Sequence, residues 1–174
     1  MLSTQRGLSQ DNQLFIGKLK QLDLRSIAYE LMHASEGEKL TFEQTKQALN
    51  HYSMFLCLIN LYPERQLVPT QQIDRVWHSH ILDTMKYAED CQMLFGRFIH
   101  HFPYLGKRGK VDQKNLYTAF RETQKLFQQH FNVDLAVIEE PLQIADCQPV
   151  VYAQKMTRPV VAMKIDYLGC AVRV

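Results

Sequence analysis

The part of the sequence that could do chemistry is a histidine-rich stretch near the middle of the chain. Four of the seven histidines and the only tryptophan fall within residues 77–101. Imidazole nitrogens and carboxylates are ligands that zinc and other transition metals accept in proteins. The stretch therefore predicts a candidate metal site, with zinc as the default ion and copper or iron as alternatives. Its candidate ligands are Asp74, His78, His80, His100 and His101.

Helical geometry limits which of these side chains can share one ion. On a straight helix, His80 and Cys91 would lie about 16 Å apart, at about 1.5 Å per residue. A tetrahedral ion holds its ligands at about 2.0–2.3 Å, so one straight helix cannot supply both residues. A site that included both would require a break in the helix near Asp83.

A more compact cluster forms if the chain turns back at Gly96. Such a turn would bring His100 or His101 next to His78 or His80. Asp74 lies four residues before His78 and so shares a helical face with it. Its carboxylate could then bind the ion, or accept a hydrogen bond that orients the His78 ring.

The same residues also have a structural interpretation that needs no metal. A histidine on an amphipathic helix usually makes a hydrogen bond in the core or at the surface, and His78 could bond Asp74 in this way. Trp77 would then anchor the core. The three other histidines, His33, His51 and His130, are predicted to be surface residues. Further candidate site residues in the stretch are Trp77, Tyr87, Asp90 and Cys91.

Cys91 is predicted to be a buried thiol, because unpaired cysteines are among the most buried residues and it lies between Tyr87 and Phe95. The alternative is a nucleophilic thiol whose general base is a nearby histidine, either His80 or His100. The sequence contains no nucleophile elbow, P-loop or dinucleotide fingerprint that would favour an enzyme further.

The spacing of these residues resembles that of a known family. The pattern consists of Ile73-Asp74-x-x-Trp77-His78-x-His80-Ile81-Leu82, then Tyr87-x-x-Asp90-Cys91, then Gly96 and His100-His101-x-Pro103. With this pattern, the chain is similar over roughly residues 24–131 to the glycine-rich domain-containing protein-like family. The resemblance marks the motif residues as candidates but implies no particular reaction. Plant members of the family add a glycine-rich tail, and some add an RNA-recognition module, whereas this chain has only seven glycines.

Helices must position these residues. Apolar residues at helical spacing predict a compact, mostly α bundle of five or six helices within a domain of residues 1–131. Thr41 and Gln44 form a capping-box pattern, and Thr70 is a typical first-turn cap. The strongest predicted helices cover residues near 24–31, 41–62, 71–94 with a break near 83–84, and 112–131.

Residues 132–174 differ in amino-acid composition from the rest of the chain. Valine-rich runs between prolines, such as Val160-Val161-Ala162-Met163, predict an extended or β-containing tail. This apolar tail could pack on the helices or associate with another copy or a protein partner.

Composition excludes disordered, collagen-like and disulfide-dense proteins. The chain has 174 residues, of which 46% are apolar and 22% charged, and this composition fits one globular domain. No apolar run reaches the roughly 20 residues of a membrane span. The N-terminal residues lack the apolar stretch of a secretory signal, and the four cysteines are widely spaced, so we expect a cytoplasmic protein with reduced thiols.

Positive charge gathers in residues 95–131, which hold seven Lys or Arg against two Asp or Glu, and eight of the chain's aromatic residues. Cations beside exposed rings suit single-stranded nucleic acid. The isoelectric point near 8.3 is low for a dedicated nucleic-acid binder, so this role is disfavoured. Its candidate contacts are Arg97, Lys107, Arg108 and Lys110.

Three functional hypotheses remain open from the sequence. The leading one is a small binding or regulatory domain that holds a transition metal through its central histidines. The second is a metal-free interaction or assembly module whose histidines are structural and whose tail makes the contacts. The third is an enzyme that uses a metal or the Cys91 thiol.

Overall fold

The computed structural model describes residues 10–34, 38–101, 105–106 and 110–135, together with Ala162. These residues contain six α-helices and no β-strand, which confirms the predicted mostly α-helical bundle. The β-containing tail predicted for residues 132–174 falls almost entirely outside the described residues. The helices are α1 (Gln10–Leu19), α2 (Arg25–His33), α3 (Phe42–Leu61), α4 (Gln71–Leu82), α5 (Thr84–Phe95) and α6 (Lys110–Phe131).

Helix α3 lies at the centre of the bundle. It contacts α1, α2, α4 and α6, as its nearly all-round apolar surface predicts. Among its side chains, Leu49, Tyr52 and Phe55 are almost wholly buried. Phe127 of α6 is buried in the same core. The burial of α3 on several sides makes it the scaffold against which α4, the helix of the histidine motif, is packed.

The predicted helix starts are confirmed. At the start of α3, the Gln44 amide donates to Thr41 Oγ1 at 3.3 Å, and the Thr41 amide donates to Gln44 Oε1 at 2.8 Å. At the start of α4, the Ile73 amide donates to Thr70 Oγ1 at 3.2 Å. These bonds satisfy first-turn amides that have no partner within their own helix.

The predicted break between α4 and α5 is also confirmed. Asp83 separates the two helices with φ −81° and ψ 70°, which lies outside helical values. The Asp83 carboxylate makes no capping hydrogen bond to the first turn of α5. At its other end, α5 stops at Gly96, whose φ of +66° is left-handed and whose amide donates to the Gln92 carbonyl.

A smaller apolar cluster lies beside the main core. Gly106 is tied to α6 because its amide donates to Asp112 Oδ2 at 2.8 Å. Two sets of apolar residues on α6 are buried: Leu116 and Phe120 enter this cluster, and Phe127 and Phe131 enter the main core. The small cluster consists of Val68, Leu105, Leu116, Ala119 and Phe120.

The predicted surface position of three histidines is wrong for two of them. His51 on α3 and His130 on α6 are 7% and 3% exposed, and only His33 lies at the surface. The His130 ring is hydrogen-bonded to the Tyr62 hydroxyl, with Nε2 and Oη 2.7 Å apart. His51 is buried because it lies in the part of α3 from Ala48 to Leu61, where no residue is exposed.

The beginning of the tail packs on the helices, since Leu135 is fully buried and Val133 contacts the main core. Within the ranges given above, no helix has both the length and the apolar character that crossing a bilayer demands.

Candidate metal centre

Helix α4 places Asp74 and His78 on one face, as their spacing predicts. The helix is anchored at its start by the Thr70 cap, and the Asp74 amide donates to the Thr70 carbonyl at 2.8 Å. The Asp74 side chain is 8% exposed and the His78 side chain 22%. The shortest distance between them joins His78 Nε2 and Asp74 Oδ2 at 3.6 Å. The carboxylate is thus buried, while the imidazole opens partly to solvent.

His101 reaches this face from the segment that follows α5. Gly96 ends the helix and turns the chain back. Ile99 is buried, and its carbonyl accepts a hydrogen bond from the Tyr87 hydroxyl at 2.6 Å. The His101 ring then lies edge-on against Trp77, with ring centroids 4.7 Å apart. The returning segment is therefore held by contacts to both α4 and α5.

Asp74, His78 and His101 form one compact cluster, which we call the His-Asp triad. The two imidazole Nε2 atoms lie 3.2 Å apart, and His101 Nε2 lies 3.0 Å from Asp74 Oδ1. One ligand atom from each residue lies within 4.8 Å of the other two. The triad joins two segments separated by more than twenty residues of chain, as the predicted turn after α5 requires.

The triad fits a tetrahedral metal ion. An ion bound at about 2.0–2.1 Å keeps its ligand atoms about 3.3 Å apart, close to the distances observed here. Two imidazoles and one carboxylate are a ligand set that zinc and ferrous iron accept. Burial lowers the pKa of His78, and the charge of His101 acts in the same direction, while the Asp74 carboxylate opposes both. The His78 ring therefore keeps its lone pair more readily than an exposed histidine.

The structure does not bring His80 to the triad. Its ring is almost wholly buried and lies between two partners on other helices. The Tyr52 hydroxyl is 2.9 Å from Nδ1, and an Asp90 oxygen is 2.9 Å from Nε2. Since a carboxylate only accepts, Nε2 carries the proton and Nδ1 accepts from Tyr52. Burial lowers the pKa of His80 despite the opposing effect of Asp90.

Asp90 is the centre of this second network. Lys86 Nζ donates to the same carboxylate oxygen at 2.7 Å from one turn earlier in α5, and its side chain is 10% exposed. Burial alone would raise the pKa of Asp90, but the hydrogen bonds from His80 and Lys86 lower it below its ordinary value. The network connects α3, α4 and α5, and its side chains are hydrogen-bonded to one another. We therefore interpret it as a structural network that stabilises the bundle.

Trp77 and Tyr87 position the triad from behind. The Trp77 indole N–H donates to the Tyr87 hydroxyl at 2.9 Å, and that hydroxyl donates to Ile99. Both rings are buried, and burial raises the pKa of Tyr87. The phenol therefore stays neutral, and its two hydrogen bonds connect Trp77 of α4 to the segment that carries His101.

Cys91 lies in the main apolar core, in the same cluster as Trp77 and Tyr87. It is 3% exposed, and burial raises the pKa of its thiol. A nucleophilic cysteine needs a lowered pKa and access to substrate. The environment of Cys91 gives it neither property, so the geometry favours the buried-thiol interpretation.

The remaining predicted site residues lie apart from the triad. His100 is exposed, and its ring packs against Phe98 with centroids 4.8 Å apart. Arg97 is exposed in the segment after α5, and Lys110 is exposed at the start of α6. Lys107 and Arg108 lie outside the described residues, so the nucleic-acid surface remains a prediction.

Two polar residues of the site region escape local sequence analysis. Tyr52 lies 28 positions before the histidine it bonds, and His130 lies 68 positions after Tyr62. No periodicity within one segment indicates such partners. The only available signal is the presence of a polar atom on an otherwise apolar helix face, as at Tyr52 in α3.

The described residues form a helical bundle that carries a two-histidine, one-carboxylate cluster between α4 and the segment after α5. The model of the UCP032817-like family matches residues 19–135, which is more than half of the sequence. The chain therefore belongs to this family of glycine-rich domain-containing protein-like sequences, in agreement with the resemblance of the histidine motif.

Two curated relatives from Arabidopsis thaliana are similar to this chain. They are glycine-rich domain-containing protein 1, at 34% identity, and glycine-rich domain-containing protein 2, at 32% identity, each over 90 residues. Each match covers 49% of this chain but only 11% of the relative. The chain thus corresponds to a small part of those proteins. No solved structure matches it.

Proposed function

We propose that this protein is a small metal-binding domain that holds one zinc ion in the His-Asp triad. The observation that carries the proposal is the convergence of two imidazole Nε2 atoms and a buried carboxylate at about tetrahedral spacing. The ligands come from two separate segments, so the bound ion would lock the segment after α5 onto α4. Such an ion would contribute to folding as well as to binding.

Three protein ligands distinguish this site from a closed structural zinc site. Structural zinc ions are almost always held by four protein ligands, whereas three leave a position for water or another ligand. His78 is the most exposed member of the triad, which gives that position a route to solvent. We therefore infer a binding or regulatory role, with an exchangeable ligand on the metal.

Metal binding is tested by titrating chelator-treated protein with zinc and measuring the bound metal by calorimetry and elemental analysis. We expect one zinc per chain, and its loss in His78→Ala and in His101→Ala. The matched control is His100→Ala, because His100 neighbours a ligand in sequence but lies outside the triad. A folded wild-type protein that binds no zinc, or triad variants that bind as well as the wild type, would overturn the proposal.

Ferrous iron is the competing occupant, because two histidines and one carboxylate with open positions also suit it. Equilibration of the metal-free protein with equal amounts of zinc and ferrous iron under anaerobic conditions distinguishes the two. We expect zinc to exceed iron in the recovered protein, in line with the general order of divalent-metal affinities.

We also propose a reducing compartment, such as the cytoplasm, for this domain. Cys91 is a buried cysteine that forms no disulfide in the part of the chain that the structure describes, and cytosolic proteins keep their thiols reduced. Fractionation of cells that produce the full-length protein would test this proposal. Recovery in an extracellular or periplasmic fraction would contradict it.

A further inference from the structure

A second concave site lies on the side of Trp77 that faces α3. It is a cleft of about 290 Å³, which is close to the lower end of the volumes found for small-molecule sites. Phe55, Trp77 and Ile99 form its apolar wall, and Arg97, Phe98 and His100 line it from the segment after α5. We call it the aromatic cleft. Its lining combines apolar and aromatic side chains with cationic and polar groups.

The aromatic cleft is electropositive. Arg65 and Arg97 both line it, and no aspartate or glutamate does so among the described residues. Arg65 is already engaged, because its guanidinium pairs with Glu122 and lies 4.6 Å from the centre of the Tyr62 ring. Arg97 has no ion pair with any carboxylate in the part of the chain that the structure describes. Arg97 therefore supplies the net positive charge of the cleft.

An exposed aromatic ring stands beside this charge. Phe98 is 44% exposed, although a phenyl ring would ordinarily be buried. It is held edge-on against Tyr87, with centroids 5.1 Å apart, and it contacts the His100 ring. A ring kept at the surface by aromatic neighbours offers a planar ligand a contact surface that needs little ordering on binding.

We propose that the aromatic cleft binds a small aromatic carboxylate. The ring of the ligand would pack between Trp77 and Phe98, and its carboxylate would meet the guanidinium of Arg97. A guanidinium binds a carboxylate with two parallel hydrogen bonds, a geometry that matches a planar anion. The aromatic wall favours a ring over a simple inorganic anion, and the uncompensated cation favours an acid over a neutral compound.

This proposal is independent of the metal. A neighbouring cavity of about 180 Å³ shares Trp77 and His100 with the cleft and extends to Asp74 and His101 of the triad. The wall and the cation of the aromatic cleft are nevertheless supplied by residues that are not members of the triad. Binding is therefore expected in chelator-treated protein as well as in zinc-loaded protein, so the two proposals can fail separately.

Trp77 provides a direct measurement of binding, because it is the only tryptophan in the chain and lines the cleft. We would titrate metal-free, full-length protein with phenylacetate and follow tryptophan fluorescence, with calorimetry as a second measurement. The matched neutral compound is phenylacetamide, which has the same ring and nearly the same shape. We expect saturable binding of phenylacetate, and a dissociation constant about tenfold larger for the amide, since a hydrogen bond to a charged group is lost.

Variants test the position of the carboxylate. Arg97→Gln should raise the dissociation constant for phenylacetate about tenfold, and Arg97→Lys should raise it less, because lysine keeps the charge without the planar fork. Arg121→Gln, a change at an exposed arginine of α6, is the control and should have no effect. Equal affinity for acid and amide, no effect of Arg97→Gln, or no saturable binding in either measurement would overturn the proposal.

Discussion

The Nε2 atoms of His78 and His101 face each other at 3.2 Å across the end of α4. Two imidazole N–H groups cannot point at each other at this distance, so the pair shares at most one proton. The Asp74 carboxylate lies within 3.0 Å of His101 Nε2 and concentrates negative charge at the same place. A divalent cation would satisfy both lone pairs and the carboxylate at once, which a single proton cannot do.

Zinc should stabilise the folded chain through this triad. At a free zinc concentration about one hundred times the dissociation constant, the free energy of unfolding should rise by about 2.7 kcal/mol. Urea denaturation with zinc and with chelator measures this difference. His101→Ala should abolish it, whereas His100→Ala should preserve it. Equal stabilisation of His101→Ala would place the ion elsewhere in the protein.

Tyr52→Phe should destabilise the fold without affecting zinc binding. The change removes the hydroxyl that His80 Nδ1 bonds at 2.9 Å and leaves that buried nitrogen without its partner. The expected loss is about 1–3 kcal/mol in the free energy of unfolding. Tyr117→Phe, at a tyrosine that is 45% exposed on α6, is the control and should change stability by less than about 0.5 kcal/mol. A larger loss in the control would contradict this account.

His51 should make stability depend on pH. Burial lowers its pKa from the ordinary value of 6.5, so the unfolded chain takes up a proton at a higher pH than the folded chain does. The free energy of unfolding therefore falls as the pH decreases through about 6.5 toward the folded-state pKa, by up to about 1.4 kcal/mol per pH unit for this one proton.

His51→Leu should reduce the loss of stability between about pH 7.5 and about pH 5.5, as measured by urea denaturation. It should also raise stability near neutral pH by about 1 kcal/mol, because His51 Nδ1 is buried and has no hydrogen-bond partner among the described residues. His33→Leu at the exposed histidine of α2 is the control. Identical pH dependence in His51→Leu and wild-type protein would refute the prediction.

Cys91 should resist alkylation in the folded protein. Its thiol is 3% exposed and its pKa is raised by burial, so little thiolate is present and little of it is accessible. Treatment with iodoacetamide, followed by peptide mapping, should leave Cys91 unmodified until the protein is unfolded in urea. Rapid modification of Cys91 in the native state would instead support the hypothesis of an enzyme that uses this thiol.

Gly96→Ala should weaken the turn that carries His101 back to α4. Gly96 has a φ of +66°, where a side chain costs about 1–2 kcal/mol. Gly17→Ala within α1 is the matched control: an added methyl group meets no atom within 4 Å, and the change should stabilise the helix by about 0.5–1 kcal/mol. Thermal unfolding measures both changes. A Gly96→Ala variant as stable as the wild type would contradict the turn as described.

The local elements could be predicted because their signals are local. The capping pair Thr41 and Gln44 fixes the start of α3, and Thr70 fixes the start of α4, through bonds that span three residues. The same holds for the break at Asp83 and the end of α5 at Gly96, where short-range backbone preferences decide. The shared face of Asp74 and His78 follows from helix geometry alone.

The selection among the central histidines could not be predicted in this way. The sequence offered four histidines to one cluster, and the structure brings together only His78 and His101 with Asp74. His80 is turned toward Tyr52 and Asp90 by the packing of α4 against α3 and α5, and His100 is turned outward. A difference of two positions on α4 decides which helix each ring faces, since each residue rotates the side chain by about 100°.

The sequence by itself determined that the chain forms a helical bundle, where its central helices begin and end, and that histidine chemistry is concentrated near α4. The tertiary structure decided which histidines meet, that His51 and His130 are buried, and that Arg97 stands over an aromatic cleft. The physical reason is range. Caps and helical faces depend on atoms a few residues apart. The His78–His101, Tyr52–His80 and Tyr62–His130 contacts instead join side chains 23, 28 and 68 positions apart.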